Sequence, residues 1–272
     1  MVKGADIMVF DLFKRNTLRK LNSKGIKLRE EGKFKESIEY YDEAIKLDPK
    51  FKYAWYNKGN SLRGLKKPVE AIKCYDKTIG IDPEFSAAWY SKGNALNDLE
   101  KLDDAIKCYN KALEICPKNL DSMHKIGNTF LKMEKYDDAL ECFDRVIEID
   151  PKFRDAYYGK VFAFNKLGMF DEIITCFDEF LKYEPSDTEV YYWKGDAYKK
   201  REQYFKALDC FDKALELDPE DEESWFEKGN TLQKLKKYGE ALECYNKALE
   251  LDSDFEETVE AKKRLLELMG RD

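Results

Sequence analysis

The cysteines are the residues in this chain whose type and spacing first suggest chemistry. Six of them recur at intervals of 34 residues: Cys74, Cys108, Cys142, Cys176, Cys210 and Cys244. Thiols in such a series could form a metal or redox ladder. On stacked helices, however, equivalent positions lie about 8–10 Å apart per helix contact, whereas a disulfide needs Cα atoms within about 7 Å. We therefore interpret them as small buried apolar residues in a reducing compartment, with Cys116 as a lone seventh thiol.

Residues for acid–base, nucleophilic or phosphate chemistry are not grouped in the sequence. The chain has one histidine, His124, so a histidine triad or a multi-histidine metal site would depend on that residue. The glycines are single residues rather than a phosphate-binding loop, and the 55 acidic residues fall mostly on helix faces expected to be exposed. The sequence predicts no enzymatic activity, no cofactor and no metal.

The element that positions these residues is a repeat of 34 residues. A proline recurs at that interval, at Pro49, Pro83, Pro117, Pro151, Pro185 and Pro219. Seven repeats occupy residues 18–255 and begin at Leu18, Lys52, Ser86, Leu120, Arg154, Thr188 and Glu222. An internal period of this length indicates a solenoid.

Each repeat contains two amphipathic patterns. Position 4 carries a large apolar residue, position 8 is usually glycine, and position 11 is apolar. The three lie on one helical face, as Trp89, Gly93 and Leu96 do. The second pattern begins at a small residue such as Ala105 and has an aromatic residue, here Tyr109, four positions later. Small residues let two helices approach closely, so each repeat is predicted to be a helix pair that stacks on its neighbour. The pattern predicts an all-α fold of about sixteen helices without strands.

With the Trp-x-x-Lys-Gly-Asn motif, the Ala/Tyr/Ala face and the usual terminal Asp-Pro, residues 18–255 resemble a tetratricopeptide repeat protein. The resemblance implies a right-handed superhelical solenoid of helix-turn-helix repeats whose first helices line a concave groove. Such grooves receive an extended peptide or a helix of another protein. One departure is systematic: a lysine precedes position 8 in six repeats, where the family usually has leucine. A lysine stem can cover apolar surface while its ammonium group stays hydrated.

The resemblance places positions 5, 6 and 9, among others, in the groove. Position 5 is almost always aromatic and position 9 is mostly asparagine, a combination that can bury a peptide's side chains and hydrogen-bond its backbone. The predicted groove residues are Tyr56, Asn60, Tyr90, Asn94, His124, Asn128, Tyr158, Phe162, Tyr192, Trp193, Phe226 and Asn230. A clamp for a C-terminal carboxylate is not predicted, because the required cations are missing around Asn57 and Asn60.

The fifth repeat departs most from the others. It has Val161 in place of glycine, and Ile173 and Phe180 in place of alanine, so its helices are expected to approach less closely. We hypothesise an apolar anchor pocket formed by His124, Tyr158, Phe162, Tyr192 and Trp193. The alternatives are compensated sequence drift and simple packing of these side chains between neighbouring first helices.

Charges also follow the repeat in its fourth to seventh copies. Position 2 is acidic (Asp121, Asp155, Glu189, Glu223) and position 13 is basic (Lys132, Lys166, Lys200, Lys234). They could form an acidic rim opposite a basic rim. The helix macrodipole favours the same distribution by about 0.3–1 kcal/mol per residue, so both explanations stay open.

Two segments lie outside the repeats. Residues 1–17 contain an apolar run for which packing on the first repeat, self-association and interfacial membrane binding compete: Ile7, Met8, Val9, Phe10, Leu12 and Phe13. Residues 256–272 are predicted to form a capping helix in which Val259 and Leu266 continue the apolar face.

Composition narrows the functional classes. A net charge of −7 disfavours general binding to nucleic acid or anionic membranes, and no window forms a membrane span. The first residues lack a secretory-signal pattern, so a cytoplasmic location is expected.

The leading prediction is a non-enzymatic scaffold or adaptor that binds another protein or peptide in its groove. The alternatives are an architectural protein that self-associates through its ends or N-terminal segment, and a co-chaperone without a carboxylate clamp.

Overall fold

A computed structural model describes the backbone of residues 2–270 and the side chains of residues 13–270. Within this range there are fifteen α-helices and no strand. The helices are α1 (Val2–Glu30), α2 (Phe34–Leu47), α3 (Lys52–Gly64), α4 (Pro68–Ile81), α5 (Ser86–Asn97), α6 (Leu102–Ile115), α7 (Leu120–Lys132), α8 (Tyr136–Ile149), α9 (Arg154–Leu167), α10 (Phe170–Phe180), α11 (Thr188–Lys200), α12 (Tyr204–Leu217), α13 (Glu222–Lys234), α14 (Tyr238–Leu251) and α15 (Glu256–Leu268).

The helices form two compact units. The first unit ends at Lys135 and contains α1–α7, and the second begins at Tyr136 and contains α8–α15. Within each unit, each helix packs mainly on the helices before and after it in sequence. Contacts between sequence neighbours are what a helical solenoid requires, and the predicted all-α fold is confirmed.

The two helices of a repeat approach each other where an aromatic ring lies over a glycine. A Cβ atom on Gly59 would lie 2.6 Å from the Tyr75 ring, and one on Gly93 would lie 2.6 Å from the Tyr109 ring. Both rings are fully buried. The same contact recurs at Gly25–Tyr41, Gly195–Phe211 and Gly229–Tyr245. Glycine is needed at these positions because the ring leaves no room for a side chain.

The loop between repeats is held by the aromatic residue at position 4. The indole Nε1 of Trp55 donates to the carbonyl of Pro49 at 2.9 Å, and Trp89 donates in the same way to Pro83. Before the proline the backbone is extended, with φ −146° and ψ 97° at Asp48, because a following proline disfavours the α conformation. Five second helices, α2, α4, α6, α8 and α12, therefore end two residues before a proline, whereas α10 ends earlier, at Phe180.

The turn inside each repeat contains one residue in the left-handed region. It is a glycine in repeats one and five, Gly32 and Gly168. In the other five repeats it is a charged residue with a φ of 57–59°: Lys66, Glu100, Glu134, Glu202 and Lys236. A bond from the following amide back to the helix, such as Lys67 N to Leu62 O at 2.9 Å, closes the turn as in a Schellman motif.

The lysine at position 7 pairs with an aspartate of the preceding repeat. The pairs lie 2.5–2.6 Å apart and are Lys58–Asp42, Lys92–Asp76, Lys160–Asp144, Lys194–Asp178 and Lys228–Asp212. These lysine side chains are 14–23% exposed, so their stems are packed as predicted. The aspartate partners were not predicted. We call these five pairs the Lys–Asp links.

The cysteines follow the expected burial. Cys116 is exposed, Cys142 is half-buried and the other five are buried, which confirms for those five the prediction of small buried residues. Burial raises the pKa of Cys74 and of Cys244 to about 11, so these thiols stay protonated at neutral pH. In the described part of the chain, no group of three or more His, Cys, Asp or Glu residues could hold a metal ion.

The predicted number of helices was wrong at the N-terminus. The described residues form fifteen helices rather than about sixteen, because the N-terminal segment continues without a break into the first helix of repeat one as α1. The side chains of Ile7, Met8, Val9, Phe10 and Leu12 lie outside the described residues. Phe13 is 70% exposed.

The buried face of α15 also differs from the prediction. Ala261 and Leu265 join the buried cluster around Leu232 and Tyr245, whereas Val259 is 47% exposed. A residue two positions before Ala261 lies on the far side of a helix, so Val259 cannot share that face. The final helix does pack on α14, and it does so through Ala261 and Leu265.

Candidate functional site

The aromatic residues at position 5 lie against the buried ring of their own repeat. In the first unit, the ring centroids of Tyr56 and Tyr75 are 6.1 Å apart, and those of Tyr90 and Tyr109 are 5.8 Å apart. In the second unit the pairs Tyr158–Phe177, Tyr192–Phe211 and Phe226–Tyr245 are separated by 5.9, 6.2 and 6.1 Å. All five position-5 rings are half-buried. One part of each ring therefore packs within the helix pair while the rest stays accessible.

The asparagines at position 9 have partners inside the protein. The hydroxyl of Tyr75 donates to Oδ1 of Asn60 at 2.8 Å. The same bond joins Tyr109 to Asn94 and Tyr245 to Asn230, each at 2.9 Å. Asn94 is buried, and the amide of Asn230 donates to Glu227 at 3.4 Å, so the N–H groups of Asn60 are the better candidates for contact with a ligand.

His124 and Asn128 contact each other on α7. The Nδ2 atom of Asn128 lies 3.2 Å from Nε2 of His124, and both side chains are half-buried. His124 belongs to the first unit. The hollow described next lies within the second unit.

A hollow of about 180 Å³ lies between α9, α10 and α11. Three of the five residues of the hypothesised anchor pocket line it, namely Tyr158, Phe162 and Trp193. Phe162 is 47% exposed and Trp193 is 39% exposed. Tyr192 is not part of the lining, since its ring stands edge-on to Trp193 with centroids 5.2 Å apart. We call this the repeat-five hollow; the remaining lining residues are Val161, Asn165, Phe170, Ile173, Glu189, Asp196, Ala197 and Lys200.

The hollow occurs where the fifth repeat departs from the others. Val161 and Ile173, the branched residues that replace glycine and alanine, form part of its lining and are almost fully buried. The second helix of this repeat has Phe177 where Tyr75 and Tyr109 stand in other repeats, and a phenylalanine has no hydroxyl that needs an asparagine partner. Position 9 is instead Phe162, whose ring is left partly in solvent. Val161 and Ile173 had been recognised in the sequence as departures, but not as lining residues.

Arg154 orders one polar edge of the hollow. Its guanidinium lies 2.8 Å from Asp187 and 2.8 Å from Glu189, and hydrogen bonding to Asp187 is the main cause that raises its pKa. The same group donates to the Tyr158 hydroxyl at 3.0 Å. The indole Nε1 of Trp193 donates to Glu189 at 3.3 Å. Two of the aromatic lining residues are therefore positioned by hydrogen bonds.

Lys200 lies at the other edge of the hollow. Its Nζ atom is 2.9 Å from Asp196 and donates to Asn165 at 3.1 Å. It also lies 5.6 Å from the ring centroid of Phe170. The acidic position 2 and the basic position 13 of repeat six, Glu189 and Lys200, thus both line the hollow.

Four carboxylates gather on the adjacent first helix, α13. Asp221, Glu222 and Glu223 stand at its start and Glu227 follows one turn later. Burial, with the nearby charges of Asp221 and other carboxylates, Glu189 among them, raises the pKa of Glu223. We call Asp221, Glu222, Glu223 and Glu227 the acidic corner.

Comparison with known proteins bears on the repeat itself. Family models described as tetratricopeptide repeat match residues 53–85, 86–119, 121–153, 188–221 and 222–255, and one described as TPR repeat matches residues 25–65. This chain is a tetratricopeptide repeat protein. The resemblance inferred from its motif is thereby confirmed. Residues 154–187 of this tetratricopeptide repeat protein, which include α9 and α10, fall between two of the matched ranges.

Solved structures support the same fold. The C-terminal part of a TPR repeat-containing protein from Cytophaga hutchinsonii superposes with a TM-score of 0.76 at 16% identity, over 88% of this chain and 98% of that one. A tetratricopeptide repeat protein from Parabacteroides merdae gives 0.60 at 18% identity, over 92% and 99%. YrrB, described as a TPR protein with an unusual peptide-binding site, gives 0.54 at 25% identity, over 68% and 95%. None of the curated proteins compared with the chain matches it.

The tetratricopeptide fold is typical of protein-interaction scaffolds rather than enzymes. Among the helices of residues 2–270, none combines the length and hydropathy that a bilayer crossing requires. The second unit contains an apolar hollow with polar groups fixed around it, which is an arrangement typical of ligand-binding sites.

Proposed function

We propose that this protein is a non-enzymatic interaction scaffold that binds an extended segment of another protein along its first helices. The segment seats an apolar side chain in the repeat-five hollow. The observation that carries this proposal is the pair of large aromatic side chains, Phe162 and Trp193, that line the hollow while 47% and 39% exposed.

Exposed apolar area at the hollow supplies the binding energy. Each Å² of apolar surface removed from water contributes about 25 cal/mol, and desolvated aromatic anchors contribute roughly 2–4 kcal/mol each. The rings of Tyr158 and Trp193 are already held by Arg154 and Glu189, so little ordering opposes binding. Polar groups at the edges, such as Asn165 and Lys200, can meet the backbone of the segment.

The comparisons support a peptide as the bound element. YrrB, which shares the repeat and 25% of aligned residues, is described as having an unusual peptide-binding site. An extended peptide suits this chain because the half-buried rings at position 5 recur along each unit, and asparagines recur at position 9 in the first unit. Side chains of the peptide can contact the rings while its carbonyls accept from the amides.

Self-association is the second candidate function. It is favoured by Phe13 and Leu268, which are 70% and 64% exposed near the two ends of the described chain. A concentration series by light scattering separates the two functions, since a scaffold for other proteins stays monomeric in the absence of a ligand.

The proposal predicts that truncating the two anchors abolishes partner capture. The Phe162→Ala, Trp193→Ala double variant should lose about a thousandfold in affinity, since two anchors of roughly 2 kcal/mol each amount to about 4 kcal/mol. Proteins retained from a lysate on the unaltered chain are quantified by mass spectrometry and compared with those retained on the double variant. Phe205→Ala is the matched control, because Phe205 is 69% exposed on α12 and does not line the hollow.

Retention of the same proteins by the double variant would contradict the proposed site. If the double variant and Phe205→Ala lose the same amount of retained protein, the retention is caused by non-specific contact with exposed apolar side chains and not by a site. Circular dichroism of all variants checks that the helices are intact.

A further inference from the structure

Three of the cations around the repeat-five hollow already have acidic partners, whereas Lys166 of α9 lies 5.5 Å from the ring centroid of Phe162. Lys200 pairs with Asp196 at 2.9 Å, and Lys199 pairs with Asp196 at 3.0 Å and with Glu227. Arg154 is shared between Asp187 and Glu189. To reach Lys199, Lys200 or Arg154, a ligand carboxylate would have to displace an existing ion pair.

The acidic corner beside the hollow is not balanced in the same way. Within residues 13–270, no cation lies within ion-pair distance of Asp221, Glu222 or Glu223. Glu223 is exposed as a residue. Burial of part of its carboxyl group, and after it the charges of the nearby carboxylates, raise its pKa. Repulsion among these groups favours any ligand that brings a positive charge to them.

Tyr192 connects the hollow to the acidic corner. Its ring stands edge-on to Trp193, whose indole lines the hollow, at a centroid distance of 5.2 Å. Lys199, on the same helix as Tyr192, pairs with Glu227 of the acidic corner. Burial, and after it the charges of Glu227 and Glu223, raise the pKa of Tyr192. An ammonium or guanidinium group over the ring would gain both a cation–π contact and an ion pair.

The dimensions set the size and spacing of the ligand groups. The hollow of about 180 Å³ is larger than the cavity of about 150 Å³ that accommodates a benzene ring, so it can hold a leucine, methionine or aromatic side chain. Trp193 and Lys200 form the wall of the hollow on α11, and α11 contacts α13, the helix that carries the acidic corner. Neighbouring helices are about 8–10 Å apart and an extended chain advances about 3.3 Å per residue, so about three residues separate the two contacts.

We propose that the segment bound in the repeat-five hollow carries a large apolar side chain and, about three residues from it, a lysine or arginine that reaches the acidic corner. The inference rests on the proposed function, because it specifies the chemistry of the segment which that function requires. An acidic segment and a second copy of this chain are the competing occupants.

The test is a selection of short random peptides displayed on phage against the intact chain. Peptides that depend on the hollow should share a large apolar residue with a basic residue about three positions away. A representative peptide is then synthesised with a fluorophore, and its affinity is measured by anisotropy. Glu223→Gln should weaken binding about three- to tenfold, and so should an increase in ionic strength from about 50 to 500 mM.

Two controls make the charge effect specific. Glu243→Gln should leave the affinity unchanged, because Glu243 is exposed on α14 and does not belong to the corner. Replacing the basic residue of the peptide by alanine should give the same loss as Glu223→Gln, and the two changes together should give no further loss.

The outcomes separate the inference from the proposed function. One result is a set of peptides that lose binding to the Phe162→Ala, Trp193→Ala variant and yet carry acidic or neutral flanking residues, or bind the Glu223→Gln variant as tightly as the unaltered chain. Such a result overturns the inference alone. A selection that enriches no peptide, or only peptides that ignore the anchor variants, contradicts the proposed function as well. Competition between peptide binding and self-association, seen by sedimentation, would instead assign the hollow to a second copy of the chain.

Discussion

At the scale of single residues, the structure explains why asparagine recurs at position 9. Position 24 of each repeat carries the buried ring of the second helix, such as Tyr75 or Tyr109. It is tyrosine in some repeats and phenylalanine in others, and only a tyrosine hydroxyl needs a partner. Asn60 accepts from Tyr75 at 2.8 Å, whereas in repeat five the pair is Phe177 with Phe162. These asparagines were interpreted from sequence as ligand contacts, and in the three repeats with a tyrosine partner their first role is to satisfy a buried hydroxyl. In repeat four, where the ring is Phe143, Asn128 contacts His124 instead.

Repeat one supplies a natural control for this pairing. It has Tyr41 at position 24 but Ile26 at position 9. Among the described residues, the hydroxyl of Tyr41 is buried without a hydrogen-bond partner of good geometry, and the nearby Ser61 hydroxyl pairs with Ser37 at 2.7 Å. Burial raises the pKa of Tyr41 to about 12.

Removing the two hydroxyls should therefore have different consequences. Tyr75→Phe loses the bond to Asn60 and should lower the free energy of unfolding by about 1 kcal/mol, whereas Tyr41→Phe should be neutral or stabilising because no bond is lost. The measurement is urea unfolding of both variants, followed by circular dichroism. Equal destabilisation by the two substitutions would show that the bond to Asn60 contributes nothing.

Residue types at the helix contacts could be predicted from the sequence, but the direction of individual rings could not. Spacing was enough to place Gly93 against a second helix. It was not enough to show that Tyr192 stands beside Trp193 rather than in the hollow. A side chain at position 5 can turn toward either neighbour, and its direction depends on packing with the ring at position 24.

At the scale of helices, the Lys–Asp links join successive repeats. The lysine is always 16 residues after its aspartate, as in Lys58 and Asp42. Where repeat four has Ile126 in place of lysine, repeat three has Asn110 in place of aspartate. Both partners change together, which supports a pairwise role. The spacing and the joint change were visible in the sequence and would have predicted the link.

A double-mutant cycle measures one of these links. Lys58→Met and Asp42→Asn should show a coupling of about 0.3–1 kcal/mol in the free energy of unfolding, because the pair is partly exposed. The coupling should decrease in about 1 M salt, which screens exposed charges. The control cycle combines Lys58→Met with Asp103→Asn on α6, which is not its partner, and should show no coupling. A coupling of the same size in both cycles would assign the effect to general charge.

Helix ends were harder to predict than helix faces. The left-handed turn residue is charged in five repeats, such as Lys66 with a φ of 57°, so no glycine marks it in the sequence. Position 6, which the resemblance places in the groove, is Gly159 in repeat five. This residue is buried, and a Cβ atom there would collide with the Phe143 ring of the preceding repeat. Such contacts between repeats are not visible in the pattern of one repeat.

At the scale of the whole chain, a regular repeat provides the scaffold and an irregular one provides the site. Six repeats keep glycine at position 8, and the exception, with Val161, contains the hollow. Each repeat depends on its neighbours for burial, so one repeat can diverge while adjoining repeats hold its helices. The sequence located the divergent repeat, because a departure from a strict period is visible. It could not show the hollow, which needs the relative positions of three helices.

Whether a peptide binds in the repeat-five hollow can be measured with the four tryptophans of the chain. They are labelled with fluorine and observed by NMR while a peptide selected on the intact chain is added. Trp193 lines the hollow, whereas Trp55, Trp89 and Trp225 donate to the proline carbonyls of the loops between repeats. We expect the resonance of Trp193, assigned with Trp193→Phe, to shift while the other three stay in place. A Trp193 resonance that does not move when the peptide is bound would contradict the claim that the repeat-five hollow is the binding site.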